Sequence, residues 1–406
     1  MRFLHTSDWH LGRQFHGTSL LEDQTAALER IVALAQEAEV DAVLIAGDIY
    51  DRAIPPAEAV QLFTTTLARL RQSGVAVVAI AGNHDSHVRV SVYDPLLSAL
   101  GVTIRGDVSR AHEPVLVMPR RGGAPVAIYP LPYLDPVVDG PLLAADAELA
   151  ADAELAAGSE SVRTPLRLRH EDVTRLALER IRADLHGRPG HRSLVVAHTF
   201  VAGGEGCESE RELTVGNVER VSIDSFAGFD AVALGHLHGS QQLDGPRLAY
   251  CGSPLPYSFS EQHQRKSVRI VELTAGDQPT VEIVPLGVGR PLRTLEGCLE
   301  DLCSDPSHDG AAEARVRVIL TDEILPLQAM ARLRARFPHV AELRHRPPGL
   351  PERAGAPERS RRIREAASPF ELASTFFADQ QGRAVSAAEA SLLREALNAA
   401  ARQGEA

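Results

Sequence analysis

Five short apolar runs in this chain each stop at an aspartate, asparagine or histidine, and that recurrence constrains the fold more than any other feature. Residues 1–7 (MRFLHTS) lead into Asp8 and His10, and residues 42–46 (AVLIA) lead into Gly47 and Asp48, with Asp51 three residues on. Residues 75–81 (VAVVAIA) lead into Gly82-Asn83-His84-Asp85, residues 194–197 (LVVA) into His198, and residues 231–234 (AVAL) into Gly235-His236 and then His238. The runs are apolar without alternation, as expected of strands covered on both faces in a parallel sheet. In open α/β sheets ligands collect outside the carboxyl ends of the strands, and Gly82 allows a sharp turn there, so Asn83, His84 and Asp85 are expected to project into that crevice.

Two Asp, one Asn and four His, leaving His84 aside, form a mixed oxygen and nitrogen donor set without a thiolate. Such a set suits Mn²⁺, Fe or Zn²⁺ better than Mg²⁺ or a structural zinc. Seven protein ligands exceed what one ion takes. Divided over two ions with a shared carboxylate, they leave positions for a water nucleophile and a phosphate oxygen, as in two-metal hydrolytic sites.

The series Asp8-Trp9-His10, Gly47-Asp48-Ile49-Tyr50-Asp51, Gly82-Asn83-His84-Asp85, His198 and Gly235-His236-Leu237-His238 resembles the five signatures of the calcineurin-like metallophosphoesterases. The fuller wording LHTSDWHLG, GDIYDRAIPP, GNHDS and YCGSPLPYSF resembles one branch of that family, the SbcD nuclease subunits of bacterial SbcCD. The resemblance implies an α/β fold, a two-sheet β sandwich flanked by helices, with a small α+β capping domain and a C-terminal helical partner-binding tail. It implies that Asp8, His10 and His238 bind one metal, that Asn83, His198 and His236 bind a second, and that Asp48 bridges them. The expected cofactors are two Mn²⁺ ions, with Mg²⁺, Fe or Zn²⁺ as substitutes. His84 then faces the scissile phosphate as acid or electrostatic stabiliser, with Asp51 to orient it. The implied activity is Mn²⁺-dependent hydrolysis of DNA, as an exonuclease on duplex ends and an endonuclease on single strands and hairpins. The implied partners are DNA, an SbcC-type coiled-coil ATPase and a second copy of the chain, in DNA repair and recombination.

Two rival readings use the same residues: a phosphoesterase with a non-DNA substrate, and a non-catalytic scaffold of the same fold. Asp51-Arg52 echoes the GDxxDRG of protein phosphatases, but those carry Glu after GNH where this chain has Asp85. Every expected ligand is present, which speaks against a scaffold. Trp9, between two ligands, is expected to pack rather than to stack on a base. His16, His87, His112 and His263 lack the strand-end setting and receive no role.

With 406 residues, 44% of them hydrophobic, the chain is long enough for two or three domains. A ligand at position 8 argues against a cleavable leader, no apolar run is long enough to span a bilayer, and Cys207, Cys251, Cys298 and Cys303 include no CxxC pair, so reduced thiols in the cytoplasm are expected. The formal charge of −12 is unusual for a DNA enzyme, although bound cations offset part of it. Basic charge is almost all Arg, with Lys266 the single lysine.

The pattern predicts helices over 20–38, 56–73 and 171–185 and strands over 115–118, 126–129, 266–274 and 280–286. It divides the chain into a nuclease core (1–288), a capping domain (289–346), a Pro- and Arg-rich linker (347–366) and a helical ATPase-binding segment (367–406). Within the capping domain, helices are expected over 295–302 and 325–337 and strands over 314–320 and 340–343. Residues 145–156, a tandem copy of ADAELA, read as a dispensable insertion.

Overall fold

The computed structural model describes residues 1–144, 168–210, 220–274, 278–348, 369–381 and 383–403. The tandem ADAELA copy and nearly all of the 347–366 linker lie outside the described residues. The chain divides into one compact unit of Met1–Thr294, Asp309–Arg317 and Phe337–Glu342, and a second of Leu295–His308, Val318–Arg336 and Leu343–Ala406.

Two six-stranded sheets form the body of the first unit. Across the first, the order is Thr280–Pro285, Ser267–Glu272, Arg2–Thr6, Ala42–Ile45, Ala76–Ile80 and Val102–Arg105. Across the second it is Gln241–Asp244, Leu248–Tyr250, Ala231–Gly235, Arg192–His198, Val126–Leu131 and Val115–Val117. Strands Arg2–Thr6, Ala42–Ile45, Ala76–Ile80 and Val102–Arg105 run parallel, in registers that pair Phe3 with Ala42, Ala42 with Ala76 and Val77 with Val102. In the second sheet Val126–Leu131, Arg192–His198 and Ala231–Gly235 are likewise parallel. Parallel pairing is what brings the polar ends of all five apolar runs to one edge.

Three apolar layers hold these sheets. Phe3, Leu44, Val78, Ile80, Ile128, Leu194 and Val196 form one buried cluster drawn from both sheets. Helices Leu21–Glu37 and Ala57–Gln72 cover the outer face of the first sheet through Leu28, Ile31, Phe63, Leu67 and Leu70. Helix His170–His186 covers the second through Val173, Ala177, Leu178 and Ile181. Each fully buried aliphatic side chain contributes about 1.5–3 kcal/mol, so the strand ends rest on a rigid base. Each face of the central strands is covered, which accounts for their unbroken apolar sequence.

Trp9 is fully buried, with its indole N–H donating to Thr6 Oγ1 (2.9 Å) and its ring edge-on to Phe63, so it packs as expected. Two expectations for the C-terminal part need correction. Residues 295–302 are not one helix: Leu292–Gly297 is a strand and Leu299–Ser304 a short helix. Pairing with Arg315–Leu320, whose alternation buries Val316, Val318 and Leu320, outweighs the local helical spacing. The helix expected over 325–337 spans only Ala329–Arg336, because Pro326 lacks a backbone donor and Gln328 takes a φ of +54°. No helix among the described residues is long and apolar enough to cross a membrane.

Candidate metal centre

Five of the parallel strands, Arg2–Thr6, Ala42–Ile45, Ala76–Ile80, Arg192–His198 and Ala231–Gly235, carry their predicted polar residues to a common edge, and backbone bonds between loops lock them together. Asp8 N–H donates to Gly47 O (3.0 Å), His10 N–H to Asp48 O (2.9 Å) and Leu11 N–H to Ile49 O (2.9 Å). His198 Nδ1 donates across to Ala46 O at 2.8 Å, joining the ends of the two sheets. Gln24, on the first helix, donates to His10 O at 2.7 Å, and Tyr257 Oη donates to Trp9 O at 2.6 Å. The close approach depends on glycine. A Cβ at Gly235 would lie 1.8 Å from Ala46 O, and one at Gly82 would lie 2.2 Å from Asp48 Oδ1.

Asp8, His10, Asp48 and His236 all have positive φ (53°, 44°, 49° and 111°). Non-glycine residues held there cost about 1–3 kcal/mol each, and such strain collects at functional sites. Four of the seven predicted ligands thus sit in conformations that only the surrounding packing imposes.

All seven converge. Donor atoms of Asp8, His10 and His238 lie within 4.8 Å of one another, as do those of Asp8, Asp48 and His198, and of His10, Asp48 and His84. His10 Nε2 faces His238 Nε2 at 3.1 Å, while His198 Nε2 and His236 Nδ1 face Asn83 Oδ1 at 2.9 and 3.2 Å. Asp48 Oδ2 lies between these groups, 3.6 Å from His10 Nε2 and 3.5 Å from His198 Nε2.

The arrangement fits a cation on its own chemistry. Because His198 Nδ1 carries the proton that goes to Ala46 O, a neutral ring presents a lone pair at Nε2 toward the oxygens of Asn83 and Asp48. Acceptors face acceptors with no proton between them. Burial holds the imidazoles of His10 and His238 well below their ordinary range and pushes His236 down to about 3, so none of them supplies a compensating charge. Burial, and then the neighbouring Asp48, raises Asp8 well above the usual carboxylate range. Divalent cations would resolve both conflicts at once.

His84 stands at the rim, half-buried, with its ring edge-on to His10 at 4.6 Å. Its backbone N–H donates to Asp48 Oδ1 (2.9 Å) and its Nδ1 donates to the backbone oxygen of Asp51 (2.9 Å), which leaves Nε2 as the free nitrogen. Asp51 does meet His84, through its backbone carbonyl and not its carboxylate. The carboxylate is drawn instead to Arg13 Nη1 at 3.2 Å and stands 3.8 Å from His10 Nδ1. Asp85 also departs from expectation. It does not project into the crevice but accepts from the backbone N–H groups of Ile49, Tyr50 and Gly82 at 2.9–3.0 Å, and burial with Asp48 nearby pushes it up to about 7.

Sequence reasoning passed over several residues that surround the cluster. Ser209 Oγ lies 2.6 Å from His238 Nδ1, Glu261 lies behind Ser209, and Lys266 behind Glu261. Only the uniqueness of Lys266 pointed toward it. A cavity of about 280 Å³, lined by Arg2, Asp41, Arg121 and Glu272, lies where the parallel strands begin, at the opposite end from the predicted ligand loops, and has no part in this chemistry.

Comparison with known proteins agrees with the geometry. Residues 1–240 match the family model for calcineurin-like phosphoesterases, and residues 288–381 match the model described as the type 5 capsule protein repressor C-terminal domain. The SbcD subunit of nuclease SbcCD from Escherichia coli (strain K12) is 30% identical over 332 residues, covering 80% of this chain and 79% of the relative. The SbcD subunit of nuclease SbcCD from Bacillus subtilis (strain 168) is 33% identical over 353 residues, covering 85% of each. With the strand-end ligand loops, the two-sheet sandwich and relatives aligned over most of its length, the chain belongs to the calcineurin-like phosphoesterases and, within them, to the SbcD nuclease subunits.

Proposed function

We propose that this protein is a Mn²⁺-dependent DNA nuclease that hydrolyses phosphodiester bonds with two metal ions and works with an SbcC-type coiled-coil ATPase. The observation that carries the reading is the meeting of seven oxygen and nitrogen donors with Asp48 between two groups. Asp8, His10 and His238 would hold one ion, Asn83, His198 and His236 the other, and Asp48 both. When bound, the pair supplies Lewis acidity at a phosphate oxygen and a water activated for in-line attack. Mg²⁺, Fe or Zn²⁺ would serve as substitutes.

The remaining steps belong to the chain. His84, tethered at Nδ1 by Asp51 O, has Nε2 free, and as an imidazolium it would donate the Nε2 proton to the leaving oxygen or stabilise charge on the phosphate. Arg13 lies 4.9 Å over the ring of Tyr257 and pairs with Asp51, which holds that loop in place. Asp85 fixes the loop that carries Asp48 against the loop that carries Asn83 through its three backbone bonds.

DNA as substrate is supported by the nuclease relatives, and the proposed modes are exonuclease on duplex ends and endonuclease on single strands and hairpins. The ATPase would dock on helices Pro369–Gln381 and Ala387–Gln403, where Phe376 and Leu392 are 63% and 65% exposed. A second copy of the chain would pair through the face where Val88, Val92, Tyr93, Leu96 and Leu100 are exposed.

The test is cleavage of bis-p-nitrophenyl phosphate, a DNA hairpin and a blunt duplex by the full chain, with Mn²⁺ or with chelator, alone and with its ATPase. Hydrolysis of all three, lost with chelator, is the expected result. Turnover of the small diester without cleavage of either DNA, even with the ATPase, would remove DNA as substrate; turnover of none would remove the enzyme reading.

A further inference from the structure

The only lysine among 406 residues is not on the surface. The Lys266 side chain is 10% exposed, and its ammonium lies 2.5 Å from Glu261 Oε2, 2.8 Å from His238 O, 2.9 Å from Ser253 Oγ and 2.8 Å from Gln264 Oε1. Four acceptors gathered around one point suit a compact ammonium and not a planar guanidinium, which explains a lysine here in a chain otherwise dependent on arginine.

Glu261 is 1% exposed and otherwise saturated. Its Oε1 accepts from Ser209 Oγ (2.6 Å), Tyr257 N–H (3.0 Å) and Ser258 Oγ (2.9 Å). A carboxylate so charged on one side by Lys266 accepts only. The single hydroxyl proton of Ser209 therefore points to Glu261, and Ser209 Oγ can only accept from His238 Nδ1 at 2.6 Å. That places the imidazole proton on Nδ1 and the lone pair on Nε2, the nitrogen that faces His10.

We infer that Lys266, Glu261 and Ser209 form a relay of positioning residues that fixes the tautomer of His238, and through it the affinity of the Asp8, His10 and His238 group for its cation. The inference rests on the proposed metal-holding role of that group. Hydrogen-bonded partners behind a metal-binding histidine set ring orientation and basicity, and their loss weakens metal binding by about 10–100-fold. The backbone of His238 is held as well: its N–H donates to Glu210 Oε1 (2.7 Å) and its carbonyl accepts from Lys266, so the relay positions both ends of the residue.

The experiment uses the full chain without metal. Long-range ¹H–¹⁵N spectra of its histidines should show His238 protonated at Nδ1; protonation at Nε2 overturns the inference whatever the variants do. Calorimetric titration with Mn²⁺ then compares the chain with Ser209→Ala, Ser209→Thr and Lys266→Gln. Ser209→Ala and Lys266→Gln should weaken one of two sites by about 10–100-fold and leave the other unchanged, and Ser209→Thr, which keeps the hydroxyl, should restore it. Parental affinity at both sites in Ser209→Ala overturns the relay. Absence of Mn²⁺ binding by the parent chain overturns instead the metal-holding role on which it rests. Should Ser209→Ala or Lys266→Gln unfold, the spectrum of the parent chain still decides.

Discussion

At the scale of residues, the centre separates groups that would hold cations from groups that act beside them, and substitutions should separate them too. His84→Ala removes a donor but none of the seven converging ligands. Hydrolysis should fall by about 10²–10⁴ with two equivalents of Mn²⁺ still bound, measured by bis-p-nitrophenyl phosphate turnover and elemental analysis on the same sample. Loss of metal together with activity would make His84 a ligand, a role that its proximity to His10 and Asp48 keeps open to test. The convergence of these seven side chains was legible because each follows an apolar strand, so position in the fold could be inferred from local sequence. Asp51 was legible as a residue but not as a group, since nothing local shows that Arg13, 38 positions earlier, captures its carboxylate and leaves the carbonyl for His84. Ser209, Glu261 and Lys266 were illegible for the same reason: they meet His238 only after the chain folds back on itself.

At the scale of elements, local pattern served where burial is decided within the element and failed where a neighbour decides it. Helices Leu21–Glu37, Ala57–Gln72 and His170–His186 match their expected spans within a residue or two because each carries its own apolar stripe. Strand Val102–Arg105, with the sequence VTIR, went unrecognised because only pairing with Ala76–Ile80 buries it. The tail helices pose the opposite case. Phe370 stacks on Arg394 at 4.2 Å and Phe377 on Arg383 at 5.4 Å, yet Phe376 and Leu392 stay exposed. Removal of residues 367–406 should leave Mn²⁺-dependent hydrolysis of the small diester intact, and abolish co-elution with the ATPase in size-exclusion chromatography. Each apolar side chain that the partner buries is worth about 1.5–3 kcal/mol, so losing several is enough to break the complex. Loss of small-diester hydrolysis on truncation would mean that the tail supports its own catalytic unit.

At the scale of the whole molecule, the surface around the short helices His87–Ser91 and Asp94–Leu97 is the one proposed to meet a second copy of the chain. Leu96 is 71% exposed, so Leu96→Glu should convert a dimer to a monomer by light scattering without lowering the melting temperature. Phe63 is 4% exposed and packs edge-on to both Trp9 and Tyr50. Phe63→Ala should therefore cost about 3–5 kcal/mol of stability in denaturant unfolding and say nothing about assembly. The charge of −12 also reads differently once Asp8 and Asp48 are placed in one cluster, because bound cations would neutralise carboxylates that repel each other in their absence. Metal content tests that cluster most directly. After equilibrium dialysis against saturating Mn²⁺, elemental analysis should find two equivalents per chain, and almost none in Asp48→Ala, which loses the carboxylate between the two groups. Fewer than two equivalents in the parent chain, or two in Asp48→Ala, would contradict it.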